Sequence, residues 1–65
     1  MEATKYQRFG LVRKIRERRV ALDLNQPQAA VKIGIGVFTL RQFEMGGAVS
    51  DLTLDKIRQW LSATA

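Results

Sequence analysis

Apolar residues recur along this chain at intervals of three and four positions, the spacing of one face of an α-helix. In residues 9–22 they are interspersed with arginines and fall largely at that spacing, which predicts a first helix. Its apolar positions are Leu11, Val12, Ile15, Ala21 and Leu22. Near the end of the chain the same spacing returns at Leu54, Ile57 and Leu61. This predicts a last helix, capped by Ser50 or Asp51, that runs to about residue 61.

Two shorter helices are predicted between these two by residues that start and stop helices. Asn25 is a good N-cap, and Pro27 is tolerated in a first turn because its missing N–H is not needed there. Helix two is therefore expected over residues 27–33. Helix three is expected over residues 37–45, because the glycine pair at 46 and 47 ends it. One side of helix three carries Leu40, Phe43 and Glu44, and the other carries Phe38, Arg41 and Gln42.

The stretch VKIGIGVFTL, residues 31–40, could be a strand, a phosphate-binding glycine loop or a turn between two helices. A strand lacks both alternation and a partner elsewhere in the chain. A dinucleotide loop needs a third glycine where this chain has Thr39, and no Lys-Ser/Thr pair of a nucleotide-binding loop follows. The turn remains: Gly34 can adopt the left-handed conformation that ends a helix, Gly36 can cap the next, and Ile35 fills the corner.

Length and composition restrict the function. Sixty-five residues form one small domain with a lean core. The chain has no cysteine and no histidine, and its six carboxylates form no local cluster apart from Asp51 and Asp55. We therefore expect no enzyme activity, no metal site and no cofactor. No stretch resembles a membrane span or a signal peptide, so a cytoplasmic protein is expected.

The net charge of +5 is concentrated at the start of the chain. Residues 1–19 hold seven of the eleven basic residues and two of the six acidic ones. Such a segment predicts an anionic partner, either nucleic acid or a membrane surface, although a solvated helix face is the alternative. We divide the chain into a flexible basic arm, residues 1–8, and a domain, residues 9–65.

The run NQPQAAVKIGIGVFTLRQFEMGG resembles, without a gap, the helix-turn-helix core of the lambdoid-phage repressor and Cro family, also called the xenobiotic-response-element family. The matching positions are Asn25, Gln26, Ala30, Gly34, Ile35, Leu40, Phe43, Glu44 and Gly46. Upstream, LVRKIRERRVALDLNQ resembles the first helix of that family, and the likeness covers about residues 11–61. It implies an all-α, compact, lambda-repressor-like domain of four helices, or five as in most members.

Three features depart from the family pattern. Ala29 stands where the family usually has leucine, which thins the core between helices two and three. Phe38 either turns inward to fill that gap or stays exposed on helix three. Pro27 is unusually early in helix two. Most members have a fifth helix that supplies much of the dimer contact, whereas this chain ends after the fourth, which leaves the mode of dimerisation open.

The resemblance implies which residues contact DNA. Base edges in the major groove would be contacted by Val37, Phe38, Arg41 and Gln42 at the start of helix three. Phosphates would be contacted by Asn25 and Gln26 at the N-terminus of helix two. Outside the stretch of the resemblance, Lys5 and Arg8 in the basic arm are expected to reach along the DNA, and terminal disorder without a function is the alternative. The resemblance also implies an ion pair between Arg19 and Glu44. Trp60 is expected either to be half-buried or to form a hydrophobic dimer contact.

The function expected from this resemblance is that of a transcriptional regulator that binds double-stranded DNA sequence-specifically. We expect a repressor that binds a palindromic operator as a homodimer, in the cytoplasm of a bacterium or a phage-infected cell. The alternative is a protein-interaction module, such as an antitoxin or anti-activator, that binds a protein partner through Val37 and Phe38. A membrane-surface peptide is disfavoured, because the turns and caps organise a compact core.

Overall fold

Four helices make up the part of the chain that the computed structural model describes, which is the backbone of residues 5–65 and the side chains of residues 10–65. They are α1 (Lys5–Ala21), α2 (Gln26–Ile33), α3 (Val37–Glu44) and α4 (Asp51–Ala63). The described residues contain no strand. The radius of gyration, 10.8 Å, is about that of a compact domain of this length. The prediction of a compact all-α domain with four helices is therefore confirmed.

The ends of two helices differ from the prediction. Helix α1 begins at Lys5, so the backbone of residues 5–8 is helical where a flexible arm was predicted. Gly10 is the only glycine or proline in α1, and the cost in helix stability of one glycine, about 1 kcal/mol, is too small to end a long helix. Residues 1–4 of the predicted arm lie outside the described residues. Helix α4 continues to Ala63 because Thr64 caps it, with its Oγ1 donating a hydrogen bond to the Trp60 carbonyl at 2.8 Å.

Hydrogen-bonded turns end the first and third helices. After α1 the Leu24 N–H donates to the Arg19 carbonyl at 2.9 Å, and Asp23 takes a left-handed conformation with φ 57°. After α3 the Gly47 N–H donates to the Gln42 carbonyl at 2.8 Å, and Gly46 is left-handed with φ 86°. Both turns satisfy carbonyl groups that a helix end otherwise leaves without partners.

Helix α2 has both of the predicted end signals. The Gln28 N–H donates to Asn25 Oδ1 at 2.8 Å, and the Asn25 N–H donates to Gln28 Oε1 at 3.0 Å, which forms a capping box. Pro27 follows in the first turn, where no N–H is needed. At the other end Gly34 is left-handed with φ 89°, and Gly36 caps α3 in an extended conformation. The predicted turn between two helices is therefore confirmed.

The core contains side chains from all four helices. Its buried members are Ile15, Ala29, Ala30, Ile33, Leu40, Phe43, Leu54, Ile57 and Trp60. Phe38 is not among them, because 75% of it is exposed, so the alternative of inward packing is wrong and Phe38 lies on the outer side of the third helix. Ala29 is nevertheless completely buried, which means that other core side chains cover it. Trp60 is buried rather than half-buried.

Candidate nucleic-acid interface

Helices α2 and α3 are joined by a three-residue turn that is fixed at several points. The Ile35 N–H donates to the Ala30 carbonyl at 3.0 Å, and the half-buried Ile35 side chain packs against the core. The Lys56 Nζ of α4 donates to the Gly34 carbonyl at 3.2 Å. The relative orientation of α2 and α3 is therefore set by the turn and by a contact from the last helix.

The outer face of α3 presents three of the four predicted base-contacting residues. Phe38, Arg41 and Gln42 are exposed, whereas Val37 is half-buried and packs against the core. The Arg41 guanidinium carbon lies 5.5 Å from the centroid of the Phe38 ring, which is cation–π distance. A contact of this kind is worth about 0.5–1 kcal/mol at an exposed site, so it restricts both side chains on the helix surface.

The N-terminus of α2 offers fewer free donors to an anion than the prediction assumed. Pro27 has no N–H, and the backbone N–H groups of Asn25 and Gln28 are used in the capping box. Among the described residues this leaves the Gln26 backbone N–H as the first-turn amide without an internal partner. An anion here would depend on that amide and on the side-chain NH2 groups of Asn25 and Gln26.

Arg19 and Glu44, which were predicted to pair, form a bidentate ion pair between α1 and the end of α3. Arg19 Nε lies 2.9 Å from Glu44 Oε2, and Arg19 Nη2 lies 3.0 Å from Oε1. The two side chains are only 17% and 5% exposed. Arg19 Nη1 also donates to the Leu24 carbonyl at 3.2 Å, beside the turn that ends α1. The planar Arg19 guanidinium therefore binds both the Glu44 carboxylate and a backbone carbonyl of the turn that ends α1.

Gln26 extends this ion pair to a third helix. Its Nε2 donates to Glu44 Oε1 at 3.2 Å, which connects the first residue of α2 to the last residue of α3. No buried side-chain polar atom among the described residues lacks a hydrogen-bond partner. The network is therefore fully satisfied, and it holds Gln26 in one place relative to α3.

Two predicted phosphate contacts cannot be placed beyond their backbone. Lys5 and Arg8 lie on the first turns of α1, and their side chains fall outside the described residues. Neither Arg18 nor Lys56 is predicted from the sequence as a contact between helices. Their partners, Thr64 and Gly34, lie far away along the chain, and helical spacing carries no signal for such pairs.

No helix in the described part of the chain is long and apolar enough to span a bilayer. No protein-family model, curated protein or solved structure matches the chain. The likeness to the lambdoid-phage repressor and Cro family therefore rests on the residues quoted above.

Proposed function

We propose that this chain is a sequence-specific regulator of the lambda-repressor-like type that binds double-stranded DNA with α3 in the major groove. The observation that carries the proposal is the pair α2–α3, joined by a tight turn, with polar side chains on the outer face of α3. Helix α3 has eight residues, and the diameter of an α-helix with its side chains, about 10–12 Å, fits a major groove about 12 Å wide.

The exposed side chains of α3 suit base recognition. The Arg41 guanidinium can donate two hydrogen bonds to O6 and N7 of guanine, and the Gln42 amide can pair with N6 and N7 of adenine. Phe38 can contact a thymine methyl group while its ring supports the Arg41 guanidinium at 5.5 Å. Val37 is held at the helix start by the core, so it contributes mainly to the position of α3.

The ion-pair network supports the proposed docking. A recognition helix has to be held rigidly, because an error of an ångström breaks bidentate contacts to bases. Glu44 connects α3 to Arg19 of α1 and to Gln26 of α2, so the proposed phosphate contact and the proposed base contacts move as one body. The net charge of +5 provides attraction to DNA that does not depend on sequence.

A single domain of this size reads only a few base pairs. Useful affinity therefore requires two copies on a palindromic operator, with half-sites about 34 Å apart along the DNA, one helical turn. Such a homodimer would repress transcription by occupying a promoter. The proposed cellular location is the cytoplasm of a bacterium or a phage-infected cell.

Selection from a random duplex library, followed by binding assays on the enriched sequence, tests this proposal. We expect one enriched motif, and we expect Arg41→Ala to relax the preference at a single base position at a cost of about 1–3 kcal/mol. Arg13→Ala is the matched control, because Arg13 is an exposed arginine of α1. Lack of enrichment at low salt, or an equal change of base preference in Arg13→Ala, would refute the proposal.

A second candidate function is favoured by the exposure of Phe38, which is high for a large aromatic residue. In this alternative, α3 binds a protein partner through Val37 and Phe38. Phe38→Ala separates the two functions when it is combined with DNA-binding measurements. A protein-interaction module would lose its partner and keep the DNA affinity of the parent, whereas a DNA-binding protein would lose affinity for the selected sequence.

A further inference from the structure

A groove runs between the outer faces of α1 and α4. Its lining residues on α1 are Leu11, Lys14 and Arg18, which recur at i, i+3 and i+7, and on α4 they include Arg58 and Leu61. The volume of the groove is about 480 Å³. A second depression of about 430 Å³ shares Leu11, Lys14 and Arg58 with it and extends the groove to Gly10. The two depressions therefore form one open groove along α1 and α4.

The floor of the groove is apolar and its rim is cationic. Leu11 and Leu61 are half-buried, so part of each side chain still faces the groove. Lys14 has no carboxylate within ion-pair distance among the described residues, and Arg58 has only a loose contact with Asp55 at 3.7 Å. Arg18 donates through Nη1 to Thr64 Oγ1 at 2.9 Å, which places its positive charge at the C-terminal end of α4. No acidic side chain is among the described residues that line the groove.

We propose that this groove binds an acidic amphipathic helix of another protein. The apolar floor fits a row of aliphatic side chains at i, i+3, i+4 and i+7, and the cationic rim fits carboxylates beside that row. The distance along α1 from Gly10 to Arg18 is about 12 Å, which accommodates about two turns of a partner helix.

Charge and shape favour an acidic amphipathic helix over a second copy of this chain, a DNA backbone or a bilayer surface. A second copy related by a two-fold axis would bring Lys14 and Arg58 opposite the same cations. A DNA backbone offers phosphates to the rim but nothing apolar to the leucine floor, and a flat bilayer surface does not follow the concave path between two helices. The described lining residues belong to α1, to α4 and to Ala65 just after it, and none belongs to α3, so the proposed partner leaves the exposed face of α3 free.

The test uses a fluorescein-labelled synthetic peptide of about 14 residues, long enough for four helical turns. It carries Leu at i, i+3, i+4 and i+7, Glu at the flanking positions and Ala elsewhere, and its binding to the full chain is measured by fluorescence anisotropy. We expect saturable binding that Lys14→Glu and Arg58→Glu each weaken about tenfold or more. Arg16→Glu is the matched control, because it makes the same charge change on an exposed residue of α1 outside the groove, and it should weaken binding less than threefold.

A second peptide, in which serine replaces each leucine, tests the apolar floor without any change to the protein. It should lose binding, while circular dichroism verifies that each protein variant keeps the parent helicity. The proposal is overturned if the leucine peptide does not bind, if the serine peptide binds equally well, or if Arg16→Glu has the effect of Lys14→Glu. Displacement of the peptide by duplex DNA would assign the groove to nucleic acid. Binding of phosphatidylglycerol vesicles in place of the peptide, lost in Lys14→Glu, would assign it to a membrane.

Discussion

At the scale of single residues, Glu44 accepts more side-chain hydrogen bonds from other helices than any other described residue. It accepts hydrogen bonds from Arg19 Nε and Nη2 on α1 and from Gln26 Nε2 on α2. A carboxylate that is only 5% exposed is stable in the folded state because these donors replace its water. Removal of the carboxylate leaves the Arg19 guanidinium with little solvent and no counter-charge.

We predict that Glu44→Ala lowers the free energy of unfolding by about 3–5 kcal/mol, because it leaves a poorly hydrated cation unpaired. That loss is a large fraction of the stability of a small domain. Urea denaturation monitored by circular dichroism measures it. Glu17→Ala is the control, since Glu17 is exposed and its nearest cation, Arg13, lies 3.9 Å away. Similar unfolding midpoints for the two variants would show that the Arg19–Glu44 pair contributes little. The same reasoning predicts that Glu44→Ala lowers the melting temperature far more than Glu2→Ala.

Asp23 is the only non-glycine residue with positive φ in the described part of the chain. The left-handed conformation costs most side chains about 1–2 kcal/mol, and the carboxylate also faces the negative end of the α1 dipole. We therefore predict that Asp23→Gly raises the free energy of unfolding by about 0.5–1 kcal/mol. Asp23→Asn removes only the charge, so comparison of the two variants in urea separates conformation from electrostatics. A less stable Asp23→Gly would contradict the prediction.

At the scale of helices, most of the fold follows from local signals. Helical spacing, the Asn25 cap and the glycine at 34 predicted four helices and the turn between α2 and α3, because each signal acts on backbone within about four residues. The start of α1 and the end of α4 were missed. The first has no stop signal in the sequence, and the second is extended by Thr64, which also accepts a hydrogen bond from Arg18 of α1.

Substitution by alanine should change the stability of the protein in opposite directions at two glycines, one inside α1 and one in the loop after α3. At Gly10, inside α1, an added Cβ meets nothing within 4 Å, so Gly10→Ala should stabilise the protein by about 0.5–1 kcal/mol. At Gly47, an added Cβ would lie 2.9 Å from the Gln42 carbonyl oxygen, so Gly47→Ala should destabilise it by about 1–3 kcal/mol. Thermal unfolding of the two variants measures both effects. Destabilisation by Gly10→Ala would contradict a helical α1 at that position.

At the scale of the whole molecule, two surfaces with different chemistry belong to different pairs of helices. The exposed face of α3 carries Phe38, Arg41 and Gln42, and the groove between α1 and α4 carries an apolar floor with a cationic rim. Both proposals can therefore be tested independently. A charge-reversal variant that loses acidic-peptide binding should keep the base preference of the parent on DNA, with its affinity lowered only by the lost positive charge. Arg41→Ala should keep its affinity for the peptide.

Salt dependence distinguishes charged from neutral phosphate contacts in the proposed DNA complex. The logarithm of the binding constant should fall with the logarithm of salt concentration by about 0.9 for each phosphate that a cation neutralises. We predict that Arg8→Ala reduces this slope by about one unit. Asn25→Ser keeps the cap oxygen but removes the neutral NH2 group, so it should weaken binding without a change of slope. Titrations at several salt concentrations measure both, and an unchanged slope in Arg8→Ala would exclude Arg8 from the phosphate contacts.

The residue pattern alone predicts the number and order of the helices, the left-handed Gly34 and the glycine stop after α3. These depend on backbone conformation and on neighbours within one or two turns, so the residue types are sufficient. Packing between the helices leaves Phe38 exposed to solvent, brings Gln26 to Glu44, and brings Arg18 to the end of α4. Each of these depends on how helices pack at a distance along the chain, and packing follows from the shapes of all core side chains together rather than from local spacing.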